Sequence, residues 1–229
     1  MDELARFDQD VLAALRESRF MPVLYGLLAL SRIGERPVPL EKLAALLDRS
    51  EEHAARLVHQ HTTARVQDRM IQWDMPFPAD RARRTLYVGD RVIPMNRCVS
   101  ATFVLAAVLD VAFRLEEPCA ATGAPIRIDF VPGGYELVDP PETVIAVPPA
   151  RRPRRDLWND TGWKDDNVCV HGVAFGSGDV ARGWLADHPG GRVFTVDEMF
   201  DRPWITYYRQ TLRRTRRTDR LATSRTEHR

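Results

Sequence analysis

Apolar residues recur with helical spacing through the first part of the chain. In residues 3–18 they return every three or four positions, which predicts an amphipathic helix. The more apolar run from Met21 to Ile33 predicts a buried helix. Residues 40–47 predict a third helix, and Ser50 is a favourable N-cap for a fourth. Helix, polar turn, helix is typical of helix-turn-helix and winged-helix modules.

Strand-like patterns follow the fourth helix. Residues 71–77 and 83–95 are rich in apolar and β-branched positions and are separated by a polar loop, which predicts a β wing. Together with the preceding helices, this wing predicts a winged-helix-like domain over residues 1–80.

The second half of the chain predicts a mixture of helices and strands. Residues 97–115 are almost wholly apolar with helical spacing, which predicts one buried helix. Strands are expected at residues 126–131, 135–139, 143–147 and 168–176, with a hairpin turn at residues 132–134. A short helix at residues 179–188 precedes a strand over residues 193–200 that leads into a last helix ending near Leu212.

These patterns predict an α+β fold: an N-terminal helical winged-helix-like domain, then a mainly antiparallel sheet packed with helices. We expect the second domain to cover residues 81–212. Residues 213–229 form a highly charged tail with almost no apolar residues, which predicts disorder.

Charge and hydropathy exclude several function classes. The formal net charge is +1, so the balance of charge gives no reason to expect nucleic acid as a partner. The helix after Ser50 carries two acids in its first turn, which argues against DNA recognition by that helix. No segment reaches the roughly 18 apolar residues of a membrane span, and the first residues lack the pattern of a signal peptide. We therefore expect a cytoplasmic protein.

The three cysteines, Cys98, Cys119 and Cys169, are the candidate chemistry. In a reducing compartment they favour packing, metal binding or thiol chemistry over a disulfide framework. Thiolates select soft metals, and the spacing lacks the paired cysteines of a structural zinc site. His171 follows Cys169 by two positions and would share its face on a strand, as a ligand, a base or a structural histidine.

Residues 24–212 resemble the organomercurial lyase (alkylmercury lyase) family. Four segments carry the resemblance, in the family's order and spacing: RPVPLEKLAALLDRSEEHAARLV, CAATGAPI, NVCVHGVAF and VDEMF. The resemblance implies that Cys98 and Cys169 bind mercury and that Cys119 is structural. It also implies protonolysis of a carbon–mercury bond in a small organometallic or thiol-reactive substrate. No cofactor is required; Hg(II) stays bound as the product until a small thiol or a reductase removes it.

The chain departs from the family at one position. The family's proton-carrying aspartate follows the first cysteine by three residues, where this chain has Ala101. Possible replacements are Thr102, Asp165 and Asp166, of which Asp166 is favoured, and one of the two thiols. Ser100 would lie about 200° from Cys98 around a helix and so have poor geometry. Arg97, beside Cys98, is placed to favour a thiolate.

Ala101 also leaves a different class of function open. A protein that keeps both thiols without the acid would bind a soft metal ion or a thiol-reactive ligand without cleaving it. Such a protein could be a sensor, and a lyase repurposed for another substrate is a further alternative. The sequence does not indicate an oligomeric state.

Overall fold

The computed structural model describes residues 2–73, 83–95, 97–109, 111–149 and 169–210, apart from the side chains of Glu17 and Cys169. The first four helices are α1 (Glu3–Glu17), α2 (Phe20–Leu30), α3 (Leu40–Leu47) and α4 (Glu51–His61). All four were expected, the first three from the distribution of apolar residues and the fourth from Ser50 as its N-cap. The predicted cap is confirmed, because the Ser50 hydroxyl accepts a hydrogen bond of 3.2 Å from the amide of His53.

A small antiparallel sheet completes the N-terminal part. Its strands are β1 (Val38–Pro39), β2 (Arg65–Gln67) and β3 (Met70–Gln72), in the order β1-β3-β2. Helices α2, α3 and α4 pack against one another beside it.

The predicted wing is wrong in its pairing. Strand β3 pairs with β1 and β2, whereas the next described strand, β4 (Arg84–Val88), pairs with β5 (Arg91–Met95) in a different sheet. The two segments have similar strand patterns, and such patterns do not specify the partner strand. Whether residues 1–80 form a winged-helix-like unit stays a prediction.

The largest sheet has five antiparallel strands. Strands β4 and β5 are joined by β6 (Phe113–Pro118), β7 (Pro125–Val131) and β8 (Gly134–Asp139), in the order β5-β4-β6-β7-β8. The predicted hairpin is confirmed, because β7 and β8 pair across the turn and Gly133 adopts φ 84°. Mixed helices and antiparallel sheets give the α+β class that the sequence predicts.

The apolar segment after β5 is not one long helix. Helix α5 covers Ser100–Val108, and the chain then enters β6 at Phe113, so the expected helix over residues 97–115 is too long at both ends. Val99, at the N-cap of α5, supplies no capping side chain, so the sequence carries no signal for the start. Cys98 therefore precedes the helix.

A third sheet has the order β10-β9-β11, with β9 (Val144–Val147), β10 (Val173–Phe175) and β11 (Arg192–Thr195). The expected strand over residues 168–176 is shorter: Cys169–His171 form a 3₁₀ turn before β10. The strand expected over residues 193–200 ends at Thr195, and the helix α7 (Val196–Phe200) follows it. The expected last helix is α8 (residues 203–210), and the expected short helix before β11 is α6 (Arg182–Asp187).

Aromatic contacts join the helices and sheets into one core. Phe103 of α5 lies 5.2 Å from Phe130 of β7 and 5.1 Å from Phe200 of α7, between ring centroids. Tyr208 of α8 lies 5.0 Å from Tyr25 of α2 and thereby ties the last described helix to the first ones. Among the helices of the described residues, none has the length and apolar character to cross a membrane.

Candidate active site

Cys98 lies in the short connection between β5 and α5. Its side chain is half-buried, and its Sγ is 3.1 Å from the Ser100 hydroxyl oxygen. The expected poor geometry of Ser100 is wrong, because Cys98 precedes the helix and helical phasing does not apply to it. A hydroxyl at this distance is placed to donate to the thiolate that would bind a soft metal.

The two helix positions that follow Ser100 carry no acid. Ala101 is buried at 8% exposure, and its amide donates a 2.9 Å hydrogen bond to the Cys98 carbonyl. Thr102, one of the expected replacements, is fully buried, and its hydroxyl donates to the Val99 carbonyl at 2.6 Å. That contact engages the proton of Thr102 within the first turn of α5.

The backbone brings the segments of Cys98 and Cys169 together. The amide of Val99, next to Cys98, donates a 3.0 Å hydrogen bond to the carbonyl of Gly172, three residues after Cys169. The distance between the two sulfurs is not defined, since the Cys169 side chain is outside the described part of the chain. Asp165 and Asp166 also lie outside the described residues, and the role expected of Asp166 stays a prediction.

His171 is paired with a second histidine. Its Nδ1 lies 2.9 Å from His188 Nε2, and His188 Nδ1 lies 2.9 Å from the Trp184 carbonyl oxygen. A carbonyl only accepts, so with both rings neutral His188 donates from Nδ1 and accepts from His171. This arrangement leaves the lone pair on His171 Nε2.

Burial favours the neutral form of His171. Desolvation first, and then the charges of His188 and Arg83, lower the pKa of His171 below its ordinary value. The ring of His188 also stacks on Trp184 at 4.2 Å between centroids, which fixes its orientation. Of the roles expected for His171, the histidine pair most directly supports a structural one. The strand expected at Cys169–His171 is wrong, because these residues form a 3₁₀ turn.

Cys119 has the surroundings of a structural thiol. It is buried at 3% exposure, and the Gly176 amide donates to its Sγ at 3.5 Å. Burial raises the pKa of Cys119, but hydrogen bonds from the Thr122 side chain and from the amides of Gly176, Thr122 and Ala121 lower it by a larger amount. The pKa of Cys119 is therefore below its ordinary value. These contacts tie the turn between β6 and β7 to the end of β10.

Two arginines, neither of them expected from the sequence, hold the segment after Cys169. Arg83 donates to the Val170 carbonyl at 3.1 Å, and Arg84 donates to the Gly172 carbonyl at 3.2 Å. Arg84 also forms a 2.6 Å ion pair with Glu117. The sequence does indicate a buried partner for a cation here. Glu117 shares the inward face of β6 with Phe113 and Leu115, which is an unusual place for a carboxylate.

The described side chains give no larger metal cluster. Among the described residues, no group of three or more histidine, cysteine, aspartate or glutamate side chains could hold a metal ion. Arg97, expected to favour the Cys98 thiolate, places its guanidinium 5.5 Å from the centre of the Phe20 ring. Its effect on Cys98 stays a prediction.

Comparison with known proteins places the chain in a family. The family model described as "Alkylmercury lyase" matches residues 89–205, just over half of the chain. An alkylmercury lyase of Bacillus cereus is 28% identical over 104 residues, which cover 45% of this chain and 44% of the relative. One of Streptomyces lividans is 23% identical over 174 residues, covering 72% and 73%. The chain thus spans less than half the length of the Bacillus relative it matches.

A solved structure, described as the mercury-bound form of MerB2, has a similar fold. It aligns with a TM-score of 0.55 and 18% identity, covering 91% of this chain and 98% of the other. At this identity the likeness concerns the fold alone. The match of the family model over more than half of the sequence is the stronger finding: the chain belongs to the alkylmercury lyase family.

Proposed function

We propose that this protein cleaves the carbon–mercury bond of small organomercurials with Cys98 and Cys169. The observation that carries the proposal is the hydrogen bond from the Val99 amide to the Gly172 carbonyl, 3.0 Å long. This bond fixes the backbone next to one cysteine against the backbone close to the other. Two thiolates from separate segments suit a soft ion that accepts a low coordination number.

The reaction needs no change of oxidation state. One thiolate sulfur donates an electron pair to mercury, and the carbon–mercury bond breaks with its electron pair left on carbon. That pair takes up a proton to form the hydrocarbon, while mercury stays Hg(II) and is held by the two sulfurs. Ser100, whose hydroxyl oxygen is 3.1 Å from Cys98 Sγ, is placed to stabilise the thiolate form. We propose no cofactor, and a small external thiol as the acceptor of Hg(II).

Protonation of the carbon is the slow step of the proposed reaction. Ala101 offers no acid, and the Thr102 proton is donated to the Val99 carbonyl. General acids typically contribute ~10²–10⁴-fold, so cleavage should be slow compared with an enzyme that has the acid. Asp166 remains the proposed donor.

The cytoplasmic location, the winged-helix-like identity of residues 1–80 and the domain boundary at residue 80 remain predictions as well.

Ala101 favours one alternative. A protein with the two thiols and no acid would bind Hg(II) or an organomercurial without releasing the hydrocarbon. A DNA-contacting sensor is less favoured, because Glu51 and Glu52 in the first turn of α4 would repel DNA phosphates.

Intact-protein mass spectrometry after exposure to one equivalent of phenylmercury separates these functions. A lyase retains mercury and loses phenyl, so the adduct mass should correspond to one Hg(II). Cys98→Ser and Cys169→Ser should not hold that adduct, while Cys119→Ser, if folded, should still form it. A stable phenylmercury adduct on the wild-type protein, with no bare-mercury species, would establish the binding protein and exclude the lyase.

A further inference from the structure

The carbonyl oxygen of Gly172 is a junction between three parts of the molecule. It accepts the Val99 amide at 3.0 Å and the Arg84 guanidinium Nη2 at 3.2 Å. The first contact comes from the segment of Cys98, and the second from strand β4. Gly172 itself follows the 3₁₀ turn that begins at Cys169. One carbonyl therefore links both cysteine segments to the five-stranded sheet.

The Arg84 side chain is fixed by a buried carboxylate. Its Nε lies 2.6 Å from Glu117 Oε2, and the two side chains are 2% and 3% exposed. Strands β4 and β6 are neighbours in the sheet, so the pair is held by paired backbone on both sides. A guanidinium presents several donors in a rigid plane, so binding of Nε by Glu117 also fixes the direction of Nη2.

Burial of this pair has no evident benefit for packing. Removing two charges from water is costly, and apolar residues of similar size are often as stable or more stable in such a place. Glu117 Oε1 is buried with no hydrogen-bond partner among the described residues, so the pair is not fully satisfied. The contact that apolar residues could not replace is the one to Gly172.

We propose that Arg84 and Glu117 are positioning residues that hold the Gly172 carbonyl and thereby set the separation of the Cys98 and Cys169 segments. This inference rests on the proposed function of the two cysteines. Neither residue is proposed as a mercury ligand. Glu117 aims the guanidinium, the guanidinium fixes Gly172, and Gly172 fixes the backbone of Val99. Arg83, which donates to the Val170 carbonyl at 3.1 Å, supports the same segment.

The double variant Arg84→Met/Glu117→Leu separates positioning from structural support. Since apolar residues can replace a buried ion pair without loss of stability, the variant should keep its melting temperature. Its affinity for inorganic Hg(II), measured by competition with a small dithiol, should fall about 10–100-fold, as is typical when the supports of metal ligands are removed. Arg114→Met is the matched control, because Arg114 forms an ion pair with Asp129 on the same sheet while its side chain is 40% exposed. It should bind Hg(II) as the wild type does.

Two further variants test the inference if the double variant fails to fold. Arg84→Lys keeps a charge for Glu117, but one ammonium nitrogen cannot occupy both the Nε and Nη2 positions, so Hg(II) affinity should fall. Glu117→Gln keeps an oxygen that can accept from Arg84 Nε but removes the charge that aims the guanidinium, so Hg(II) affinity should fall, by less than in Arg84→Lys. Wild-type affinity in folded Arg84→Lys or in the folded double variant would overturn the inference. If the wild type binds Hg(II) no better than Cys98→Ser, the proposed function fails, and the inference fails with it.

Discussion

Replacing Ala101 with aspartate is expected to raise the single-turnover rate of phenylmercury cleavage by about 10²-fold or more, the range of a general acid. Ala101 is the second residue of α5, and its amide donates to the Cys98 carbonyl at 2.9 Å, so a carboxyl group there starts close to the thiol. Burial at 8% exposure favours its protonated form, which allows it to deliver a proton.

Ala101→Asn is the matched control for this prediction. It has nearly the same shape as aspartate and suffers the same crowding, but it cannot deliver a proton. Its rate should stay at or below that of the wild type, measured by benzene release in the same single-turnover experiment. Equal rates for the aspartate and asparagine variants would show that position 101 is not where the missing proton enters.

Replacing Arg84 alone with methionine is expected to lower the free energy of unfolding by about 3–5 kcal/mol, because it leaves Glu117 buried without a partner. Adding Glu117→Leu should restore the stability of the wild type, since the second change removes the unpaired carboxylate. Urea denaturation of the wild type, the single variant and the double variant measures both effects. A single variant as stable as the wild type would mean that the pair is not buried as described.

The loss in Arg84→Met should depend on pH. Burial raises the pKa of Glu117 above its ordinary value of 4.5, and Arg84 opposes that rise. Without Arg84 the carboxyl group binds its proton still more tightly in the folded protein than in the unfolded chain. Such a group lowers the free energy of unfolding progressively as pH rises above 4.5. Above the pKa of the group in the folded protein, the free energy of unfolding falls no further on its account. The stability gap to the wild type should therefore narrow as pH falls towards 4.5.

Local signals in the sequence were sufficient for part of the fold. Ser50 caps α4 with its own hydroxyl, and Gly133 adopts the positive φ of a hairpin turn, so both features could be predicted from a few neighbouring residues. The start of α5 could not. Val99 caps it without a side-chain hydrogen bond, and the apolar residues continue on both sides of the helix.

That missed boundary changed the interpretation of the site. With Cys98 inside a helix, Ser100 would point away, yet the structure puts its hydroxyl oxygen 3.1 Å from the sulfur. The contact from Arg84 to Gly172 joins residues 88 positions apart. No local pattern encodes such a contact, although an inward-facing glutamate on β6 indicated that a buried cation would be near.

Single-turnover incubation with phenylmercury and an excess of a small thiol tests the central claim most directly. Benzene is measured by gas chromatography for the wild type, Cys98→Ser and Cys169→Ser at equal protein concentration. The proposed function predicts slow benzene release from the wild type and none above background from either variant. Benzene from a cysteine variant at the wild-type rate, or none from the wild type, would contradict the assignment of carbon–mercury cleavage to this pair of thiols.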